Sequence, residues 1–386
     1  MSQIESVVRL YVVGGFLGAG KTTALTALVA HFIRQKQRVA VITNDRTDGL
    51  VDSDVMQSLG INYREISGAC ICARFRDFLS AADALLEKHQ PHVILAEPVG
   101  SAADLVSTVI RPLRAYTQNR YTIMPLTVLA DPVRVCEMLG DEHESDEGGA
   151  WPEDIKKLYD MQLSEADRIL LTKADAVADD IVEKSHEILK KLYAIQKPSL
   201  GIQSFSAVTG DGLVEWLQAL DDYDGAESTH IEKTDYDLSL AESALGWLNL
   251  EIKLVSQNKD QDADDRLDAV ALIQGFFHRL HDLMKGTPIG HLKLFASINN
   301  QLLKANVVDW RRGYQIENLN AAESDVCGQW KESRIRINLR AVMDHNQLKQ
   351  IAIDSVSEAA GFQNNTVEVI QALSVKPDRP KPVYRL

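Results

Sequence analysis

Hydrophobic residues fall into two textures along the first half of this chain. Short runs rich in Val, Ile and Leu read as buried strands at Val7 to Val13, Arg38 to Thr43, Val93 to Ala96, Ile123 to Ala130, Arg168 to Thr172 and Gln203 to Ser206. Between them, Lys21 to Arg34, Phe75 to Lys88 and Ser101 to Tyr116 read as helices, the first with Leu25, Leu28, Val29 and Phe32 on one stripe. Strand and helix in turn predict an α/β fold, a mostly parallel sheet with helices on both faces. Such sheets bind ligands beyond the carboxyl ends of their strands.

The texture changes after residue 222. Residues 223–236 read as a linker, and 237–374 as a smaller α+β domain. Leu248 to Val255, His291 to Ala296, Leu302 to Val308 and Arg334 to Leu339 read as strands of an open-faced sheet. Asp264 to Met284 and Asn346 to Ala360 read as its helices. The last stretch, 375–386, holds Pro377, Pro380 and Pro382 and is expected to be loosely ordered. The domain expectation is therefore 1–222, then 237–374. Residues 141–150, acidic and ending in glycines, read as a solvated loop.

Composition narrows the partners. The 386 residues are 45% hydrophobic and 25% charged, ordinary for globular domains. The net charge of −14 argues against nucleic acid or an anionic membrane as the main partner. No stretch of about 18 apolar residues suggests a membrane span. Four cysteines, with no visible secretory signal, suit a reducing cytoplasm.

The chemistry begins at residues 15–23, Gly-Phe-Leu-Gly-Ala-Gly-Lys-Thr-Thr. Gly15, Gly20, Lys21 and Thr22 fit G-x-x-x-x-G-K-[ST] between a predicted strand and a predicted helix. Backbone N–H groups turned inward at a helix N-terminus favour an anion, so Gly15, Gly18, Ala19, Gly20, Lys21, Thr22 and Thr23 are expected to hold a triphosphate. Lys21 would reach its β and γ phosphates, and the Thr22 hydroxyl would ligate Mg²⁺. Glu97 ends a strand and belongs near the metal and the attacking water, directly or through water. Gly100, three residues on, lets a backbone N–H approach the γ-phosphate.

Base recognition is expected from Leu170-Leu171-Thr172-Lys173-Ala174-Asp175. A carboxylate at Asp175 can accept from the guanine ring N1–H and its 2-amino group while the Lys173 stem packs on the base. Thr172 stands where Asn is usual, losing an amide that would brace this loop. The backbone around Ser206 and Ala207 could contact the guanine oxygen.

These motifs, in this order over about residues 8 to 220, resemble the SIMIBI class of GTPases and within it the CobW-like family of metallochaperone GTPases. Asn44-Asp45 followed by Asp52, Ala130-Asp131, and Gln162 to Asp167 also match the family's pattern. The resemblance implies that Asp52 acts near Mg²⁺ with Lys21 and Glu97, and that a metal ion or metal cofactor is delivered to a client metalloprotein. The family's Gly-Cys-x-Cys-Cys appears here as Ala69-Cys70-Ile71-Cys72-Ala73, with alanine in place of the third thiol. Two thiolates two residues apart can reach one Zn²⁺ or another soft transition metal, but a tetrahedral site needs further ligands, for which Asp45, Asp48 or the client are candidates. Two small buried side chains are the alternative. His278 and His281 share a helix face, a weaker metal candidate.

Three functions follow. A Mg²⁺-dependent GTPase would turn over slowly alone, stimulated by GTP-dependent homodimerisation or by a client, since no arginine finger can be assigned. A P-loop small-molecule kinase is disfavoured by the guanine-reading segment. A nucleotide-gated interaction module without metal handling is favoured by the incomplete cysteine motif.

Overall fold

A computed structural model of the chain describes residues 7–44, 61–117, 120–140, 149–223, 244–257, 267–298, 301–319, 333–377 and 381–386. The first domain is an eight-stranded sheet of β1 (Val8–Gly15), β2 (Val39–Asn44), β3 (Tyr63–Ile66), β4 (Val93–Glu97), β5 (Tyr121–Ile123), β6 (Thr127–Ala130), β7 (Arg168–Leu171) and β8 (Gly201–Ser204). The order is β3-β2-β4-β1-β6-β7-β8, with β5 also on β1, and all the pairings are parallel. Along β1 the side chains alternate between two cores. Leu10 and Val12 join one with Phe75 and Leu158, and Tyr11 and Val13 join the other with Leu25, Phe32 and Trp216. Both faces are therefore covered, which is why the strand is apolar throughout rather than alternating.

Two expected elements are shorter than hydrophobicity alone suggests. Ile123 to Ala130 is two strands, because Pro125 has no N–H to give the ladder. The expected helix 101–116 begins only with a π-turn at Val106–Ile110, followed by helix Arg111–Tyr116. The helical path runs on through Pro112, and what is lost is the first turn, where Asp104 takes φ +60, outside the right-handed helical region.

The second domain is a six-stranded antiparallel sheet of β9 (Gly246–Ser256), β10 (Ile289–Ile298), β11 (Gln301–Val307), β12 (Gln315–Asn318), β13 (Arg334–Ala341) and β14 (Asn365–Val375). Its order is β12-β11-β10-β13-β9-β14. Helices Ala269–Leu283 and His345–Gly361 cover one face, each started by an aspartate: Asp268 accepts from Val270 N and Ala271 N, and Asp344 from Asn346 N and Gln347 N. The expectation of an open second face is corrected. Trp247, Asn249, His291, Asn338 and Arg340 share that face by register and are buried. β14 was not expected, although Thr366-Val367-Glu368-Val369 alternates as a strand should.

The tail is corrected as well. Residues 381–386 lie on the first domain, with the Tyr384 ring 5.4 Å from Phe75 and 4.7 Å from Tyr116. Arg385 pairs with Asp104 at 3.0 Å, and Val383 N donates to Cys72 O at 3.0 Å. The prolines disfavour helix and sheet, but an aromatic ring and an ion pair anchor the extended segment. No helix among the described residues is long and apolar enough to cross a membrane.

Glu165 braces the π-turn by accepting from Val106 N at 3.0 Å. Burial pushes its carboxyl up from the ordinary 4.5 to about 8, with the backbone bond from Val106 opposing. Across that window the native state keeps a proton that the unfolded chain has released. Stability is therefore expected to fall as pH rises from about 4.5 to about 8. Urea unfolding at several pH values should show this slope in the wild type and lose Glu165's part of it in Glu165→Gln.

Candidate nucleotide site

The turn after β1 is shaped by its glycines and held by its carbonyls. Gly15 sits at φ +137, and a Cβ there would stand 2.6 Å from Leu129 O, so no other residue fits without moving β6. Lys21 opens helix Lys21–Arg34, and its Nζ donates to Gly15 O at 2.8 Å and Phe16 O at 3.1 Å. Ala19 is buried, Gly20 takes φ +87 at the helix cap, and Thr23 is exposed on the first turn. The amides of residues 18–23 thus sit at a helix N-terminus, a geometry suited to phosphate oxygens.

Beside this loop Thr22 and Glu97 meet. The Thr22 hydroxyl lies 3.2 Å from each Glu97 carboxylate oxygen, and both residues are buried. β4 carries Glu97 to the sheet's carboxyl edge, level with Thr43 on β2. These are hard oxygen donors, as Mg²⁺ requires. Gly100 lies against the phosphate loop, where a Cβ would come within 3.1 Å of Leu17 N and 2.6 Å of its side chain. Asp52, Asp45 and Asp48 lie outside the described residues.

The base segment is tied to the same loop. Thr172 Oγ1 lies 2.9 Å from Ala19 O and 3.2 Å from Ala130 O. The expected loss of bracing is therefore corrected, because the hydroxyl reaches the carbonyls directly. Lys173 Nζ donates to Gly18 O at 2.7 Å and to Asp131 Oδ2 at 2.6 Å. Arg312 of the second domain joins Asp131 at 2.8 Å. Burial pushes the Asp131 carboxyl up, but Lys173 and Arg312 outweigh it and hold its pKa below the ordinary value. Asp175 is exposed at the rim. Ala174 N donates to Phe205 O at 3.3 Å, joining this segment to Ser206 and Ala207. Ser206 is buried, and its hydroxyl accepts from Val208 N and Thr209 N.

Two residues noted only for their family pattern turn out to be struts. Asn44 donates to Ile66 O and Ala69 O and accepts from Ile71 N at 2.9 Å and Val99 N at 3.3 Å, linking the cysteine loop to the segment after Glu97. Gln162 donates to Gly100 O at 3.0 Å and Ala102 O at 2.8 Å. Gln162, between Met161 and Leu163, is an amide whose burial would demand such partners, whereas Asn44, between Thr43 and Asp45, carries no local signal.

The cysteines are brought together, but not as thiolates. Cys70 and Cys72 form a disulfide, both are buried, and a disulfide sulfur does not serve as the thiolate ligand expected for Zn²⁺. No group of three or more possible metal ligands occurs among the described residues. His281 instead packs on Trp310 and His278 on Tyr314, with ring centroids 5.0 and 6.2 Å apart.

A family model for the CobW/HypB/UreG nucleotide-binding domain matches residues 9–198. This part of the chain belongs to that family. Among curated relatives, the zinc chaperone CobW of Sinorhizobium sp is 28% identical over 187 residues, 43% of this chain and 51% of its own length. The zinc chaperone YjiA of Escherichia coli is 26% identical over 192 residues, 47% of this chain and 53% of its own. The chain thus matches about half the length of these relatives. Among solved structures, Zn(II)-bound YjiA GTPase from E. coli aligns over 89% of this chain and 97% of its own, at 18% identity and a TM-score of 0.37. HypB from Helicobacter pylori in complex with nickel aligns over 59% and 94%, at 19% identity and a TM-score of 0.39.

Asp131→Ala would leave Lys173 and Arg312 without their shared buried carboxylate. A loss of about 3–5 kcal/mol in urea unfolding is expected, the usual cost of breaking a buried pair from one side. Guanine nucleotide binding should weaken in the same variant, because Lys173 would then be held by Gly18 O alone.

Proposed function

We propose that the chain is a Mg²⁺-dependent GTPase, hydrolysing GTP to GDP and phosphate, that couples turnover to delivery of a metal ion to a client metalloprotein. One observation carries the reading: Thr172 and Lys173 fasten the base-reading segment to the carbonyls of Ala19 and Gly18. Phosphate site and guanine site are one rigid unit, with Asp175 at its rim.

Each residue then has a task. The amides of residues 18–23 and Lys21 hold the β and γ phosphates, and Lys21 follows the charge that develops on them. Thr22 and Glu97 hold Mg²⁺, with Asp52 assigned to the same shell by family pattern. When bound, Mg²⁺ neutralises phosphate charge and helps place the leaving group. Gly100 brings a backbone N–H toward the γ-phosphate, steadied by Gln162. Glu97 orients water. These contributions are positioning and electrostatic stabilisation, without a covalent intermediate. Turnover is slow in the monomer and rises on GTP-dependent homodimerisation or client binding.

The cargo end rests on the names of the relatives, which are zinc chaperones. In the reduced chain Cys70 and Cys72 supply two thiolates, and Asn44 connects their loop to the segment after Glu97. A second reading, a nucleotide-gated interaction module without metal handling, is favoured by the disulfide. Equal zinc content in the reduced wild type and a Cys70→Ser/Cys72→Ser double variant would favour it.

The nucleotide reading is tested by titrating GTP and ATP in Mg²⁺. GTP is expected to bind at least tenfold tighter, and preference for ATP would overturn the reading. Asp175→Asn should lose at least tenfold in GTP affinity and gain xanthosine triphosphate, whose 2-oxo group accepts the new amide's hydrogen.

A further inference from the structure

The second domain reaches into the nucleotide site. Gly290 O and the Val308 side chain lie so close to Gly18 that a Cβ there would meet each at 2.8 Å. Three residues beyond Gly290 on β10, Lys293 Nζ donates to Thr22 Oγ1 at 3.3 Å, although 271 residues separate the two in the chain. Arg134 of the first domain fixes the start of this strand by donating to Ile289 O and Val308 O. His291, two residues before Lys293 on the same face, is buried. Burial first, then the charges of Lys293, Arg340 and Lys21, push its pKa well below the ordinary 6.5, so it is neutral. Cations of the second domain therefore roof a loop built for a polyanion.

We propose that Lys293 competes with Mg²⁺ for Thr22 Oγ1, so that loading Mg²⁺·GTP evicts the lysine and moves β10 relative to the phosphate loop. This rests on the GTPase reading. The Thr22 hydroxyl has one hydrogen, directed at Glu97, and its lone pairs face Lys293. Thr22 Oγ1 would be one of the hard oxygen donors that hold Mg²⁺. An ammonium on the same oxygen would then stand within a few ångströms of a divalent cation, in a site walled by buried residues where charges are poorly screened. The lysine yields, because its stem is flexible and its strand belongs to another domain. By linkage, whatever draws β10 away from the loop tightens Mg²⁺·GTP binding by the same factor.

The test uses the full chain and a fluescent non-hydrolysable GTP analogue titrated across a Mg²⁺ series. Hydrogen exchange of residues 289–298 is followed in parallel. In the wild type, Mg²⁺ with the analogue should raise exchange in 289–298, a readout that needs no variant. In K293M, the Mg²⁺ concentration for half-maximal binding should fall at least fivefold, and K293R should stay near the wild type. K293Q replaces K293M if the latter does not fold. Unchanged Mg²⁺ dependence in K293M or K293Q, or a rise in the half-maximal concentration, overturns the proposal while leaving the GTPase reading intact. Failure of the wild type to bind the analogue at any Mg²⁺ concentration overturns both.

Discussion

A loop that turns its N–H groups inward to hold an anion must turn its carbonyls outward, and buried carbonyls need donors. That constraint organises the nucleotide half of the molecule. Lys21 serves Gly15 O and Phe16 O, Lys173 serves Gly18 O, and Thr172 serves Ala19 O. The residues that sequence motifs assign to phosphate and base are thus also the residues that keep the empty-handed side of the loop satisfied. Altering any of them disturbs binding and loop shape together.

The seam between domains extends the same arrangement. Arg312 meets Asp131, which Lys173 already holds, while Arg134 takes two carbonyls of the second domain and Arg311 pairs with Glu137. These contacts are polar and directional, and beside them Leu245 and Trp247 of the second domain join the first domain's apolar core. Such a seam specifies one relative placement, because the directional bonds fix its register and the shared apolar cluster resists separation.

The first domain was legible because its signals are local. A β-branched run, a glycine turn and a helical stripe each lie within a few residues, and their order fixes a parallel sheet. Glu97 was readable from its place at a strand end. The polar struts were not. Asn44 bridges residues 66 to 99, Gln162 reaches Gly100, and Lys293 crosses to Thr22, so each acts on a partner that only the folded chain brings near. Proline misled in both directions. Pro125 broke an element that hydrophobicity alone extended, and the prolines of the tail hid a segment that Tyr384 and Arg385 anchor.

That tail sets a mechanical limit. The second domain enters at β9 and leaves through β14, and the segment beyond is pinned to the first domain at Cys72, Asp104 and Phe75. A body moored at both ends is restrained from swinging wide like a hinged flap. Any large opening must first peel Tyr384 from between Phe75 and Tyr116, so residues 381–386 act as a tether between the two domains.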